Sequence, residues 1–95
     1  MFDVATSIND IPIRLTDERW SHIIEEHCEL AGMRFDILDT IQNPERVLCG
    51  NAGENIAIRE MTSGKFLVVI YKENKKDGFI ITSFLTRRIA SLNKR

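Results

Sequence analysis

The chain is poor in the residues that cross-link, ligate or stiffen. Among its 95 residues are two cysteines, two prolines, two histidines, one tryptophan and one tyrosine. Cys28 and Cys49 stand apart, without the CxxC spacing of a zinc knuckle or the cysteine density of a secreted disulfide scaffold. Both read as reduced, small apolar side chains. Long hydrophobic runs are missing too: the longest, Phe66–Tyr71, falls far short of the roughly 20 residues that span a bilayer. Met1–Ser7 has neither the basic start nor the apolar centre of an export signal, so the cytoplasm is the expected location and no membrane partner is expected. The remainder is ordinary, with 43% hydrophobic and 28% charged residues, and predicts one globular domain over residues 1–95.

Lysine is absent from residues 1–54, where four arginines face eleven acidic residues for a net −7. Residues 55–95 carry nine lysines and arginines against Glu60, Glu73 and Asp77, a net +6. This asymmetry makes an anionic partner for the C-terminal half plausible, nucleic acid included; the plainer alternative is that the two halves pair with each other.

Local patterns divide the chain in two. Ile11–Leu15 alternates and contains a proline, which predicts a short edge strand or an extended lead-in. Thr16 is a helix cap followed by Asp17 and Glu18, and Trp20, Ile23, Ile24, His27 and Leu30/Ala31 recur at helical spacing as far as a stop at Gly32. A second helix is expected over Arg34–Asn43, with Phe35, Leu38 and Ile41 as its apolar stripe and Pro44 beyond its end. After Pro44 the texture turns β-branched, giving strands at Val47–Cys49, Glu54–Met61, Lys65–Glu73 and Gly78–Leu85. The turns at 50–53, 62–64 and 74–78 are short, which favours an antiparallel meander. Arg87–Arg95 reads as a final short helix or a basic tail. The expected fold is α+β, two N-terminal helices packed on one face of a four-stranded antiparallel sheet.

The two histidines lie in "RWSHIIEEH". At about 100° per residue, His22 and His27 differ by roughly 140° around a helix, so they do not chelate one ion. Nor does their spacing of five match the four of a zinc-protease helix. No metal or cofactor is expected. His27 shares the apolar stripe and His22 the polar side, which leaves His27 either a satisfied core imidazole or a reactive group at the rim of the helix–sheet contact. Alternation places Arg59 with Ala57 and Met61, Lys72 with Phe66, Val68 and Ile70, and Tyr71 with Leu67 and Val69. It groups Thr82, Phe84 and Thr86 with Ile80, opposite Phe79, Ile81, Ser83 and Leu85. Arg59, Thr82, Thr86 and one of Tyr71 or Lys72 can therefore meet on one face, in a register that sequence does not set. The alternative is solvated cations among β-forming threonines.

The segments "RLTDERWSHIIEEH", "GENIAIRE", "KFLVVIYKE" and "DGFIITSFLT", in that order, resemble the barnase/EndoU/colicin/RelE-like nuclease superfamily. The likeness is to its phage- and toxin-associated branch, whose helix reads R-W-x-H-I-x-x-x-H-P-E. It spans about Ile13 to Arg87 and departs from the pattern at Cys28, where the motif has proline. The resemblance implies a RelE/barnase-like fold and metal-independent RNA cleavage, often by the toxin of a toxin–antitoxin pair, with an antitoxin protein as partner. Family positions fall on His22, His27, Arg59, Tyr71, Lys72, Thr82 and Thr86.

These residue types suit cleavage through the RNA's own 2′-hydroxyl, which needs proton transfer and fixed positive charge on the phosphate. The expected roles are His27 as general base or acid with His22 as second choice, Arg59 and Lys72 as phosphate clamps, and Thr82 and Thr86 as positioning hydroxyls. Tyr71, Lys65 and Arg87 are expected to bind substrate; Trp20 and Tyr71 are the candidates for stacking a base, with Trp20, on the apolar stripe, reading rather as core. The rival expectation is an inactive domain of the same fold that recognises a protein or nucleic acid through its basic half; oligomeric state is left open.

Overall fold

The computed structural model describes residues 2–88. Its elements are β1 (Phe2–Thr6), β2 (Pro12–Thr16), α1 (Asp17–Glu26), a 3-10 turn (Cys28–Leu30), α2 (Arg34–Gln42), β3 (Arg46–Cys49), β4 (Asn55–Thr62), β5 (Lys65–Glu73) and β6 (Gly78–Thr86). The six strands form one sheet in the order β1-β2-β6-β5-β4-β3. Strands β3 to β6 pair antiparallel in sequence order, β1 pairs antiparallel with β2, and β2 joins β6 in parallel.

The expected four-stranded antiparallel, RelE/barnase-like sheet is therefore incorrect: the sheet is six-stranded and mixed, extended by the β1–β2 hairpin. Strand β1 was hard to read because only Ala5 of its five residues is buried, so "FDVAT" has almost no alternation contrast. The turn left a better signal. Asp10 takes φ 63°, a left-handed conformation that Asn and Asp tolerate, and Ser7 N–H donates to Ile11 O at 2.9 Å across the loop. Nor is β2 an edge. Pro12 is its first residue, where a missing N–H interrupts no central ladder.

Gly78 makes the parallel junction possible. A Cβ there would meet the Lys72 carbonyl oxygen at 2.3 Å and Ile13 Cδ1 at 2.6 Å. Three strands approach one another at a position that holds no side chain.

Thr16 Oγ1 caps α1 by accepting from Arg19 N at 3.1 Å. The helix stops at His27 (φ −134°, ψ 70°) rather than running to Gly32. The 3-10 turn that follows carries Leu30 fully into the core. Helix α2 buries Ile37, Thr40 and Ile41, while Phe35, expected on its apolar stripe, is 77% exposed. Thr40 satisfies its buried hydroxyl by donating to Asp36 O at 2.7 Å. Of the expected C-terminal helix or tail, Arg87 and Arg88 follow β6 without helix, and 89–95 lie outside the described residues.

Both helices cover one sheet face. Its core is Ala5, Ile13, Leu15, Ile23, Leu30, Ile37, Ile41, Ala57, Leu67, Val69, Tyr71 and Ile80. The opposite face has no helix in that core; Ile56, Ile58 and Val68 are buried there among Leu48, Phe66, Ile70 and Phe84. A bulge in β6 re-sorts its faces: Tyr71 pairs with Ile80 but Ile70 with Thr82, leaving Ile81 as the extra residue. Simple alternation put Ile80 with Thr82 and Phe79 opposite. In the fold Ile80 joins the helix-covered core, and Phe79 shares the open face with Thr82, Phe84 and Thr86.

Candidate active site

Register lays the open face out in four rows. One runs Val4, Arg14, Phe79, Lys72; the next Leu48, Ile56, Ile70, Thr82; the third Arg46, Ile58, Val68, Phe84; the last Glu60, Phe66, Thr86. Past Phe79, β6 has no strand partner on its β2 side among the paired residues, and α1 packs against both β2 and β6. The third row is continued there by His27, whose ring centroid is 6.1 Å from that of Phe84 at a tilt of 38°.

The chain arrives at this position because α1 ends there. As the C-cap residue, His27 donates its backbone N–H to Ile23 O at 2.8 Å, which anchors the main chain while the side chain leaves the helix axis. Its imidazole is 31% exposed, and Glu29 Oε2 lies 3.8 Å from Nδ1, beyond hydrogen-bond length. The carboxylate sits on the Nδ1 side and leaves Nε2 for another partner. Thr82 and Thr86 flank Phe84 on the same strand and face, each about 7 Å along at two residues' rise. Thr86 Oγ1 accepts from Arg88 N at 3.0 Å.

Lys72 shares this face, but four residues from the Val68 row, on the order of 13 Å away. Its Nζ donates to Ala52 O at 3.2 Å and so holds the β3–β4 turn, where Gly53 takes φ 83°. Arg59 and Tyr71 lie on the other face. Arg59 pairs with Asp39 of α2, and that guanidinium, followed by the Asn43 amide, holds the Asp39 carboxyl below its ordinary value. Tyr71 is fully buried, its hydroxyl without a hydrogen-bond partner among the described residues. Burial, and secondarily the charge of Glu73, push it up to about 12.

His22 is exposed on α1. Lys65 begins β5 on the parity of Leu67, and the Arg87 guanidinium lies beside Gly64 in the β4–β5 turn. The structure thus sets His27 beside Phe84, with Thr82 and Thr86 each about 7 Å along the strand from that phenylalanine, puts Lys72 farther off on the same face, and places Arg59 and Tyr71 on the other.

Sequence reasoning missed two residues of this surface. By pattern Phe84 is one more strand apolar, yet its ring centroid lies 6.1 Å from that of His27. Arg14 sits in the Phe79 row; its place between apolar Ile13 and Leu15 was the available signal. The two unlike halves are joined by Arg59–Asp39, yet Lys65, Lys75, Lys76 and Arg87 make no ion pair among the described residues. No described residues form a group of three or more His, Cys, Asp or Glu side chains placed to hold a metal ion. No described helix is long and apolar enough to cross a membrane. In comparisons with known proteins, no family model matches the chain, and no curated protein or solved structure does either.

Proposed function

We propose that the chain is a metal-independent endoribonuclease of the cytoplasm that uses His27 as its proton-transfer group at the β6 edge of the open face. The observation that supports this most directly is the seating of the His27 ring on Phe84, with two strand hydroxyls flanking that platform. An imidazole can move a proton near neutral pH, whereas the other basic groups of this face cannot. In the reaction His27 Nε2 removes the proton of a 2′-hydroxyl, that oxygen attacks the adjacent phosphorus, and the 5′-oxygen leaves with a proton taken from solvent. The products are a 2′,3′-cyclic phosphate and a 5′-hydroxyl. Thr82 and Thr86, on either side of Phe84, orient separate phosphates of the bound strand, and Lys72, about 13 Å along the face, neutralises one further away. An enzyme of this kind is kept from its host's RNA by a protein inhibitor, so an antitoxin partner belongs to the same reading, as does the resemblance carried by the α1 motif.

One observation favours the rival reading of a binding domain without chemistry. Arg59, the cation expected beside the histidine, is engaged with Asp39 on the other face. Incubation of purified protein with single-stranded RNA separates the two. Cleavage to cyclic-phosphate ends, reduced about 100-fold or more by His27→Gln, supports the enzyme. RNA left intact by folded wild-type protein, or cut equally well by His27→Gln, removes His27 from catalysis.

A further inference from the structure

Three features lie away from His27. The first is the edge of β1, which pairs with no further strand among the described residues. The second is the knot at Glu73, whose carboxylate accepts from Ser7 Oγ, Asn9 Nδ2 at 2.8 Å and Asn55 Nδ2 at 3.4 Å and is fully used in tying the β1–β2 loop to β5. The third is the row containing Phe79, where exposure and charge point the same way.

Phe79 is 40% exposed, although it lies within a strand paired on both sides. Its lateral neighbours on the open face are both cations, Arg14 on β2 and Lys72 on β5, each about 4.8 Å away by strand spacing. Arg14 is held at this end of the sheet by Asp77, 3.4 Å from its Nη1, while the Lys72 ammonium is drawn to the β3–β4 turn, where it donates to Ala52 O at 3.2 Å. Val4, 46% exposed, continues the row onto β1. A purely apolar patch would suit a protein surface. A phenyl ring between two cations instead suits a flat, uncharged ring bracketed by phosphates, the repeating pattern of a single nucleic-acid strand. A duplex keeps its base faces stacked and cannot offer them to Phe79.

We propose that Arg14, Phe79 and Lys72 form a base-stacking subsite for single-stranded nucleic acid. The subsite rests on the reading of the open face as an RNA surface, and extends it onto the β1–β2 hairpin. Phe79 is on the order of 13 Å from Phe84, so the base it holds belongs to a nucleotide away from the scissile bond. The subsite accordingly contributes to KM and leaves kcat alone.

The test uses the whole chain and an uncleavable probe, a fluorescent 12-nucleotide 2′-O-methyl RNA, single-stranded or annealed to its complement. Wild-type protein binds the single strand more tightly than the duplex. Phe79→Leu, which keeps an apolar side chain and preserves folding, weakens that binding about tenfold, while Phe79→Trp does not. Arg14→Ala lowers the salt dependence by about one phosphate contact. With cleavable RNA of the same length, Phe79→Leu raises KM at unchanged kcat. Equal binding by wild type and Phe79→Leu, a preference for duplex, or absence of binding at low salt overturns the subsite. Phe79-dependent binding without any RNA cleavage keeps the subsite and overturns the nuclease; cleavage indifferent to Phe79 does the reverse.

Discussion

The two faces of the sheet are made by the same strands and the same alternation, yet they are occupied differently. Beneath α1 and α2 the core is aliphatic apart from Tyr71, and Arg59 on that face is tied to a helix carboxylate. On the opposite face three buried residues, Ile56, Ile58 and Val68, sit among cations, threonines and partly exposed phenyl rings. Burial on the covered face contributes stability, roughly 25 cal/mol for each Å² of apolar surface removed from water. The open face leaves polar groups at fixed spacing where a ligand can reach them, on strands rigid enough to hold them.

Breaking the covered face has the largest expected effect. Leu67→Ala leaves a hole beneath the helices and costs about 2 to 5 kcal/mol, read as a lower urea midpoint. Next comes Tyr71, whose ionisation is pushed up to about 12 in the folded chain. Above the ordinary tyrosine value of about 10 the unfolded chain gives up this proton while the folded chain keeps it. Stability therefore falls as pH rises between those values, by an amount on the order of 2 kcal/mol, and levels off beyond them. Urea unfolding across that range should show the fall in wild type and not in Tyr71→Phe, which also removes a buried hydroxyl that no described residue satisfies.

The smallest effect sharpens the comparison most. Arg59→Ala should cost about 0.5 to 1 kcal/mol, since both partners of the pair are partly exposed. Asp39 is held below its ordinary carboxyl value, so the pair's contribution is present at neutral pH and disappears as pH falls through that lowered range. RNA cleavage per folded molecule should be unchanged, because Arg59 lies on the face opposite His27 and Phe84. A loss of cleavage larger than the loss of folded protein would return Arg59 to the site.

How much of this was legible depends on where contrast lay in the chain. Strands β4 to β6 announce themselves through runs such as "KFLVVIY", and α1 through its cap and periodicity. Strand β1 does not, because this edge strand has one buried position, Ala5, and so almost no alternation of buried with exposed residues. The parallel pairing of β2 with β6 depends on two segments more than sixty positions apart, which no local pattern encodes. Its trace in the sequence is Gly78, at a point where backbones crowd together. For the site, the individual residue types were readable, but their grouping was not. Arg59 and Lys72 are equally good phosphate ligands by composition, and only register places one with α2 and the other on the open face. His27 was placed on the helical stripe, yet its position depends on the helix ending there, which Cys28 gave no reason to expect.

The bulge at Ile81 shifts the phase of β6 by one residue, and everything N-terminal to it on the strand is read in the shifted phase. Pairing the strand without the bulge, every residue retained, would set Ile81 opposite Tyr71, bring Ile80 to the face now shown by Phe79 and turn the phenyl ring inward. A chain lacking Ile81 would keep Ile80 opposite Tyr71 and Phe79 opposite Lys72, so the two chains would show the same faces although alternation read along the longer one interchanges them. In comparing relatives of this molecule, the length between Gly78 and Thr86 is as informative as the residues that fill it.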